Sequence, residues 1–384
     1  MHIGILGGSF HPIHNAHIAM ARAAKEQLSL DRVILMPAAV PPHKQQEPLA
    51  PEADRLEMCR LATEGMDWLT VSDLELTRGG TSYTVDTLRT LAGTYPRDRL
   101  TLLVGGDMLK GLGHWRGAAE IFSLADIAVF PRPDMEEECR QLAMALHQHA
   151  GARVTVLDCH TDACSSTLVR TEIAMAHSVR GLVPDAVEQY LYANGLYLDE
   201  TYNMAREKLI RTLGIKRYGH SIGVVRQCVY LAGLYAPGED ALARRALLAG
   251  LLHDCAKELP AGRLAVLAGD DYPEAVPVLH APAGAVVAEN AYGIRDEEIL
   301  RAIRRHCTGD EGMTLLDEIV FLADLTEPGR TFPGVEKYRA LLPEGPAAVM
   351  RAYLADTIRR IVAKGEFLHP ATLRCAAFYG IHNE

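Results

Sequence analysis

The feature that most constrains the fold is a change of hydrophobic period near Asn194-Gly195. Ahead of it, the β-rich runs HIGIL, RVILMP, LTLLVGG, ADIAVFP and ARVTVL alternate with helical patterns such as HIAMARAAKEQL, DRLEMCRLATEG and SYTVDTLRTLAG. Strands separated by helices predict a parallel sheet with crossover helices and a ligand site at the carboxyl ends of the strands. Beyond it the strand signals stop. MAREKLIRTLG, SIGVVRQCVYLAGLY, ALARRALLAGLLHD, EEILRAIRRH, LLDEIVFLAD and AAVMRAYLADTIRRIVAKG keep a helical period punctuated by Gly and Pro, which predicts an all-α domain. At 384 residues the chain exceeds the size at which one core keeps growing. Two domains are therefore expected, 1–198 and 199–384, with no long linker between them.

Lys and Arg total 39 against 49 Asp and Glu, a formal net charge of -10. Non-specific grip on nucleic acid needs a basic footprint. Here Arg244-Arg245, Arg304-Arg305 and Arg359-Arg360 are short pairs inside amphipathic patterns and read as solvated helix faces. No nucleic-acid partner is expected, whereas a small anionic substrate needs only a local positive pocket. The eight cysteines include no C-x-x-C pair and suit free thiols in a reducing compartment. With no basic n-region ahead of the first strand and no apolar run long enough to span a bilayer, a cytoplasmic protein without membrane partners is expected. The oligomeric state stays open, a homo-oligomer included.

Gly7-Gly8-Ser9-Phe10-His11-Pro12-Ile13-His14-Asn15-Ala16-His17 follows the first strand and opens the first helix. Paired glycines let the backbone turn closely around a ligand, and a helix start offers unpaired N–H groups and a positive dipole end, a setting for phosphate. His14 and His17, three apart, share one side of the first turn and are candidates to stabilise charge developing at phosphorus. A second cluster, Ser165-Ser166-Thr167-Leu168-Val169-Arg170, again follows a strand and opens a helix. Its hydroxyls suit N–H groups or phosphate oxygens, and the Arg170 fork suits phosphate. A plain strand-to-helix turn with incidental histidines is the alternative for the first cluster, and a plain capping box for the second, which fits poorly because no Glu stands at a useful spacing from Thr167.

GGSFHPIHNAH and SSTLVR resemble the two signatures of the H-x-G-H nucleotidyltransferase superfamily. PPHK (41–44), SYTVDTL (82–88), GGDML (105–109), Trp115, PRP (131–133) and RGLVPDAVEQYLYANGLY (180–197) are similar to nicotinate-nucleotide adenylyltransferases, over essentially all of Met1 to Leu198. The resemblance implies a Rossmann-like α/β nucleotidyltransferase domain in which the phosphate of nicotinate mononucleotide attacks the α-phosphorus of ATP. Pyrophosphate leaves, and Mg²⁺ accompanies ATP. It implies ATP contacts from Gly7, Gly8, Ser9, Phe10, His14, His17, Ser165, Ser166, Thr167 and Arg170, with His14, His17 and Arg170 catalytic. Lys44, Thr84, Asp107, Trp115 and Arg132 would face the nicotinate nucleotide, where an aromatic plane and a cation suit a pyridine carboxylate. Tyr83 and Trp115 also read as core aromatics. Two positions depart from the family's usual pattern: His11 stands where it has Asp or Asn, and Ala16 where it has Gly.

The second half carries His220 in RYGHS, His253-Asp254 in LLHDCAKE, His280 in VLHAPAG, His306 in RRHCTG and Asp324 in FLADLTEPGR, each near the end of a helical pattern. Burying an adjacent His-Asp after Leu251-Leu252 is costly without a partner, and a metal supplies one. Four imidazoles and two carboxylates suit iron, manganese or zinc better than magnesium or calcium. Taken singly, His280 reads equally as a helix cap, His306 as a solvent-facing residue and Asp324 as a loop carboxylate. Cys255 and Cys307 read as neighbours rather than ligands, because no sulfur-rich spacing accompanies them.

This order of H, HD, H, H and D on helices resembles the HD-domain metal phosphohydrolases. RYGHSIGV, AGLLHDCAKEL, LHAPAGA, AIRRHCTG and FLADLTEPGR resemble the YqeK-type subgroup, from about Met204 to Tyr379. The resemblance implies symmetrical hydrolysis of diadenosine tetraphosphate to two ADP at one or two transition-metal ions, iron first, with manganese or zinc as alternatives. It places His220, His253, Asp254 and Asp324 at the principal metal, with Asp254 catalytic. His280 and His306 would complete a second position or touch phosphate, and Lys257 and Arg330 would neutralise the polyphosphate. A reading from another class makes the helical domain a nucleotide-sensing module that regulates the transferase.

Overall fold

The computed structural model describes residues 1–42, 48–132, 135–159, 164–269 and 277–381. By packing, the chain divides into two compact units: Met1–Arg170 with Arg180–Val187, and Thr171–Val179 with Glu188–Glu384.

The first unit is built on six strands: β1 (His2–Gly8), β2 (Arg32–Pro37), β3 (Leu69–Val71), β4 (Arg99–Gly105), β5 (Asp126–Phe130) and β6 (Val154–Val156). All pairs are parallel and the order is β3-β2-β1-β4-β5-β6. The inner strands are near-continuous apolar runs because helices cover both faces of such a sheet. Ile3, Ile5, Ile34, Met36, Leu102, Val104, Ile127 and Val129 pack with Leu88 and Ile121 from the crossover helices. The predicted five strands are all present; β3 is an addition at the sheet edge, only three residues long. The order reverses between β1 and β4, so a crevice is expected beyond their carboxyl ends. Gly7-Gly8 and Gly105-Gly106 stand there, at the end of β1 and of β4.

Among its described residues the second unit consists of helices joined by turns and carries no strand. Its centre is the helix Ile215–Tyr235, which buries every residue from Ser221 to Val229. Asp240–Leu252, Glu297–Arg305 and Leu315–Thr326 pack around it through Leu247, Leu251, Ile303, Ile319, Val320 and Leu322. Inside this unit Arg226 donates to Glu188, both buried. The central helix starts six residues before the apolar pattern SIGVV, at Ile215. His280–Tyr292 lies outside the predicted helical patterns: its sequence HAPAGAVVAENAY has little polar contrast, and Pro282 is tolerated because it sits in the first turn. Among the described residues no helix is long and apolar enough to cross a membrane.

Candidate functional site

In the first unit the loop from Ser9 to Pro12 is clamped from two sides. Arg55, almost wholly buried, donates to Ser9 O at 2.9 Å, Ala38 O at 2.6 Å, Ala39 O at 3.3 Å and Ala50 O at 3.1 Å. From the other side Arg170 Nη1 donates to His11 O at 2.7 Å and Ser166 Oγ to Pro12 O at 2.8 Å. The two sequence clusters therefore meet. Arg170 and Ser166 were expected at phosphates; here they also hold the loop. His11 is buried and accepts from Ala50 N at 3.1 Å, a structural bond within the loop. Ser165 Oγ accepts from Leu168 N, and Thr167 Oγ1 lies beside Arg170 Nη2.

His14 caps the helix Asn15–Gln27, and its N–H donates to His17 Nδ1 at 3.2 Å. The two rings lie 3.7 Å apart and 30° from parallel, with Phe10 edge-on to His17 at 5.0 Å. Burial holds His14 down to about 4; burial, then the charge of His14, pushes His17 well below the usual histidine value. His14 Nδ1 is buried with no hydrogen-bond partner among the described residues. A polyanion arriving there would satisfy that nitrogen and favour the protonated rings.

Of the residues expected at the nicotinate nucleotide, Asp107 and Arg132 form an ion pair. Thr84 opens the helix Thr84–Thr94. Trp115 and Tyr83 are half-buried against the sheet core, and Arg116 lies over the Tyr83 ring at 4.4 Å. Lys44 lies outside the described residues.

In the second unit the six expected ligands converge. His253 and His306 follow directly on the helices Asp240–Leu252 and Glu297–Arg305. The last carbonyls of a helix are unpaired, and each ring takes one: His253 Nδ1 donates to Gly250 O at 2.8 Å, His306 Nδ1 to Ile303 O at 2.7 Å. A carbonyl can only accept, so Nδ1 carries the proton and Nε2 presents its lone pair to the cluster. His220, in the second turn of Ile215–Tyr235, is fixed likewise: Nδ1 meets Glu327 Oε1 at 3.2 Å and Nε2 meets Asp324 Oδ1 at 2.9 Å. His253 Nε2 stands 3.6 Å from Asp254 Oδ2 and 3.9 Å from Asp324 Oδ1. Asp254 Oδ1 faces His280 Nε2 at 3.3 Å and His306 Nε2 at 3.6 Å.

The donor set passes a direct test of fit for a divalent metal. His253 Nε2 is fully buried and lacks a hydrogen-bond partner among the described residues, a costly state that a metal bond would relieve. Around it, donor atoms of His220, His253 and Asp254, and of His253, His306 and Asp324, lie within 4.8 Å of one another. Burial opposes ionisation of both carboxylates, but His253, His306 and Lys257 outweigh it at Asp254, and His220, His253 and Arg330 at Asp324, so both stay far below the usual carboxylate range. Burial, then His306 and Lys257, lowers His280 to about 2. Burial also lowers His253 to about 4. The carboxylates are thus anionic and His253 and His280 neutral, as ligation needs, whereas His220 is raised despite burial by Asp324 and Glu327, and His306 despite burial by Cys307 and Asp254, so a metal would displace protons from those two rings.

Lys257 and Arg330, expected at polyphosphate, pair with the ligand carboxylates: Lys257 Nζ lies 3.8 Å from Asp254 Oδ1, and Arg330 Nη2 binds Asp324 Oδ1. Sequence reasoning passed over Glu327, Arg217 and Arg55. Glu327 orients His220, Arg217 Nη1 donates to Asp254 Oδ2 at 3.1 Å, and Arg55 holds the loop. Glu327 lies in FLADLTEPGR, and the signal that marks it is an acidic residue one turn after Asp324.

Fold and sites together define a nucleotidyltransferase with a helical HD domain. A cytidylyltransferase-like family model matches residues 5–172, and an HD-domain model matches residues 217–329. The chain is 41% identical to a protein of Geobacter sp. (strain M21) named "Probable nicotinate-nucleotide adenylyltransferase", over 52% of this chain and 99% of that one. It is also 41% identical to a protein of the same name from Synechococcus sp. (strain JA-3-3Ab), over 51% of this chain and 95% of that one. Through its first half the chain belongs to the nicotinate-nucleotide adenylyltransferase family. Over 46% of its length the chain is similar to a solved structure described as a "predicted HD superfamily hydrolase involved in NAD metabolism" from Clostridium acetobutylicum, at 34% identity, covering 96% of that chain, TM-score 0.43. A Plasmodium falciparum nicotinic acid mononucleotide adenylyltransferase complexed with NaAD matches at 15% identity, over 51% of this chain and 97% of that one, TM-score 0.42.

Proposed function

We propose a bifunctional enzyme: residues 1–198 transfer an adenylyl group from ATP to nicotinate mononucleotide, and residues 199–384 hydrolyse diadenosine tetraphosphate symmetrically to two ADP. For the transferase, the observation that carries the reading is the stacked His14–His17 pair, His14 buried and His17 half-buried, at the start of the helix after β1. The glycines and the clamped loop cradle the triphosphate, which Mg²⁺ accompanies. His14 and His17 stabilise charge at the α-phosphorus while the acceptor phosphate attacks and pyrophosphate leaves. Ser165, Thr167 and the remaining N–H groups of Arg170 hold phosphate oxygens. Thr84, Trp115, Arg132, Asp107 and Lys44 select the nicotinate nucleotide.

For the hydrolase, the carrying observation is the convergence of Nε2 atoms, their Nδ1 atoms tied to carbonyl or carboxylate oxygens. His220, His253, Asp254 and Asp324 hold the principal metal, iron first, with manganese or zinc as alternatives; His280 and His306 serve a second. When bound, such an ion supplies Lewis acidity and a nucleophile usable at neutral pH. Asp254 orients the reacting groups, and Lys257 and Arg330 swing from its carboxylate and that of Asp324 to the polyphosphate. The test is a pair of point variants of the full chain. His253→Ala is expected to abolish hydrolysis and spare transfer, and His17→Ala to do the reverse. Hydrolysis surviving in His253→Ala would overturn the metal assignment; metal uptake without turnover in the wild type would make the helical domain a sensor.

A further inference from the structure

Cys307 follows His306 directly, just past the helix Glu297–Arg305. Its Sγ stands 3.0 Å from His280 Nε2 and 3.2 Å from His306 Nε2. The three donor atoms form a further group, sharing His306 with one of those centred on His253. Asp254 spans the two: Oδ2 faces His253, while Oδ1 faces His280 and His306. Five of the eight free thiols are buried, whereas Cys307 is half-buried. It also lines a cavity of about 190 Å³ with Phe321, Tyr353, Arg360 and Phe367, so an ion can reach its sulfur without unfolding.

We propose that Cys307 is a metal ligand: with His280, His306 and Oδ1 of Asp254 it forms a second position that takes a thiophilic divalent ion of the zinc class. This rests on the reading of the helical unit as a metal centre and adds a sulfur ligand to it. The spacing fits. Zinc–sulfur and zinc–nitrogen bonds of about 2.3 and 2.0 Å set tetrahedral S and N donors about 3.5 Å apart, so a few tenths of an ångström of widening suffices. A thiolate with two imidazoles favours zinc over magnesium or calcium, which want oxygen. Lys257 competes for the same place: its Nζ lies 2.7 Å from His280 Nε2, and its side chain is partly exposed and long enough to withdraw. The second position is therefore the weaker one, filled after the first.

The experiment is cobalt titration of the chelator-stripped full chain, with bound metal measured directly and sulfur-to-cobalt charge transfer read in the near-ultraviolet. The first equivalent should bind with little sulfur signal, and the second should bring the band in. Cys307→Ser should keep the first equivalent, lose the band, and weaken the second by about tenfold or more. Lys257→Gln should tighten it. A readout on the unmodified chain needs no variant: zinc should protect Cys307 from iodoacetamide, mapped by mass spectrometry, and leave Cys159 and Cys164, the other half-buried thiols, reactive. A band that persists in Cys307→Ser, no band in the wild type, or Cys307 labelled equally with and without zinc would overturn the proposal. In those cases uptake of a first equivalent leaves the metal-centre reading standing; absence of any uptake removes both.

Discussion

Replacing Arg55 by methionine keeps the length and apolar stem of the side chain and removes every N–H. Four carbonyls lose a donor: Ser9 O, Ala38 O, Ala39 O and Ala50 O. Bonds from a charged donor are worth about 1.5–3 kcal/mol each, but one guanidinium serves all four and its own desolvation is relieved, so about 1 kcal/mol per carbonyl is the better figure. The expected loss is about 3–4 kcal/mol for the first unit, or about 6–16 °C in its melting temperature. Arg55→Lys should lose about half, since an ammonium has three donors on one atom and cannot span four acceptors. Because Ser9 O belongs to the loop proposed to cradle the triphosphate, the KM for ATP should rise with the loss of stability. Calorimetry of the full chain, with the helical unit as internal reference, reads the first effect, and initial-rate kinetics the second. A loss under about 1 kcal/mol with an unchanged KM would refute the idea that Arg55 builds the loop.

Gly223→Ala should improve helix propensity by about 1 kcal/mol, yet the added methyl meets the Glu327 carboxylate, with its Cδ at 3.0 Å. Glu327 is pinned by His220 and Gly329 N, so metal affinity should fall by about 10–100-fold, read by competition with a chelating dye. His14 sets a pH dependence. Its folded value of about 4 lies below its ordinary 6.5, so the unfolded chain takes up that proton first as pH falls. This group should therefore take about 2 kcal/mol off stability between neutral pH and about pH 5, and His14→Asn should reduce the slope by that part in urea titrations while His17 and His253, lowered likewise, keep the remainder. Chelation should abolish hydrolysis of diadenosine tetraphosphate and lower the melting point of the helical unit, with recovery on adding back metal.

Both architectures were legible because periodicity reports burial. The inner strands and the helix Leu315–Thr326 are apolar enough to declare themselves. β3 was not, because an edge strand of three residues has one neighbour and carries no period. The start of Ile215–Tyr235 was missed for a related reason: its first turn, Ile215 to Tyr218, is mostly solvent-facing, so the apolar pattern begins only where the helix enters the core. His253-Asp254 was legible as an adjacent pair costly to bury, whereas His280, His306 and Asp324 each had an ordinary reading and joined the set through the order of ligands that resembles the HD-domain proteins. Arg55 and Glu327 were not, because what they do is defined by acceptors and donors far away in sequence: Arg55 reaches back to Ser9, and Glu327 to His220.

The helix ends explain why a cation belongs where these ligands meet. His253 and His306 each follow the last turn of a helix, and Asp324 lies in the last turn of Leu315–Thr326. Three negative dipole ends are thus brought to one place, each equivalent to roughly half an elementary charge. Asp254 and Asp324 add two full charges, and both remain ionised despite burial. Arg217, Lys257 and Arg330 answer part of that charge, and all three reach it from the rim on long side chains. The same unpaired carbonyls that create the dipole ends accept the Nδ1 protons of His253 and His306, so one feature supplies both the negative field and the aim of the lone pairs. Moving either histidine one residue along its helix would leave the field and lose the aim, which a cluster merely rich in histidine would survive.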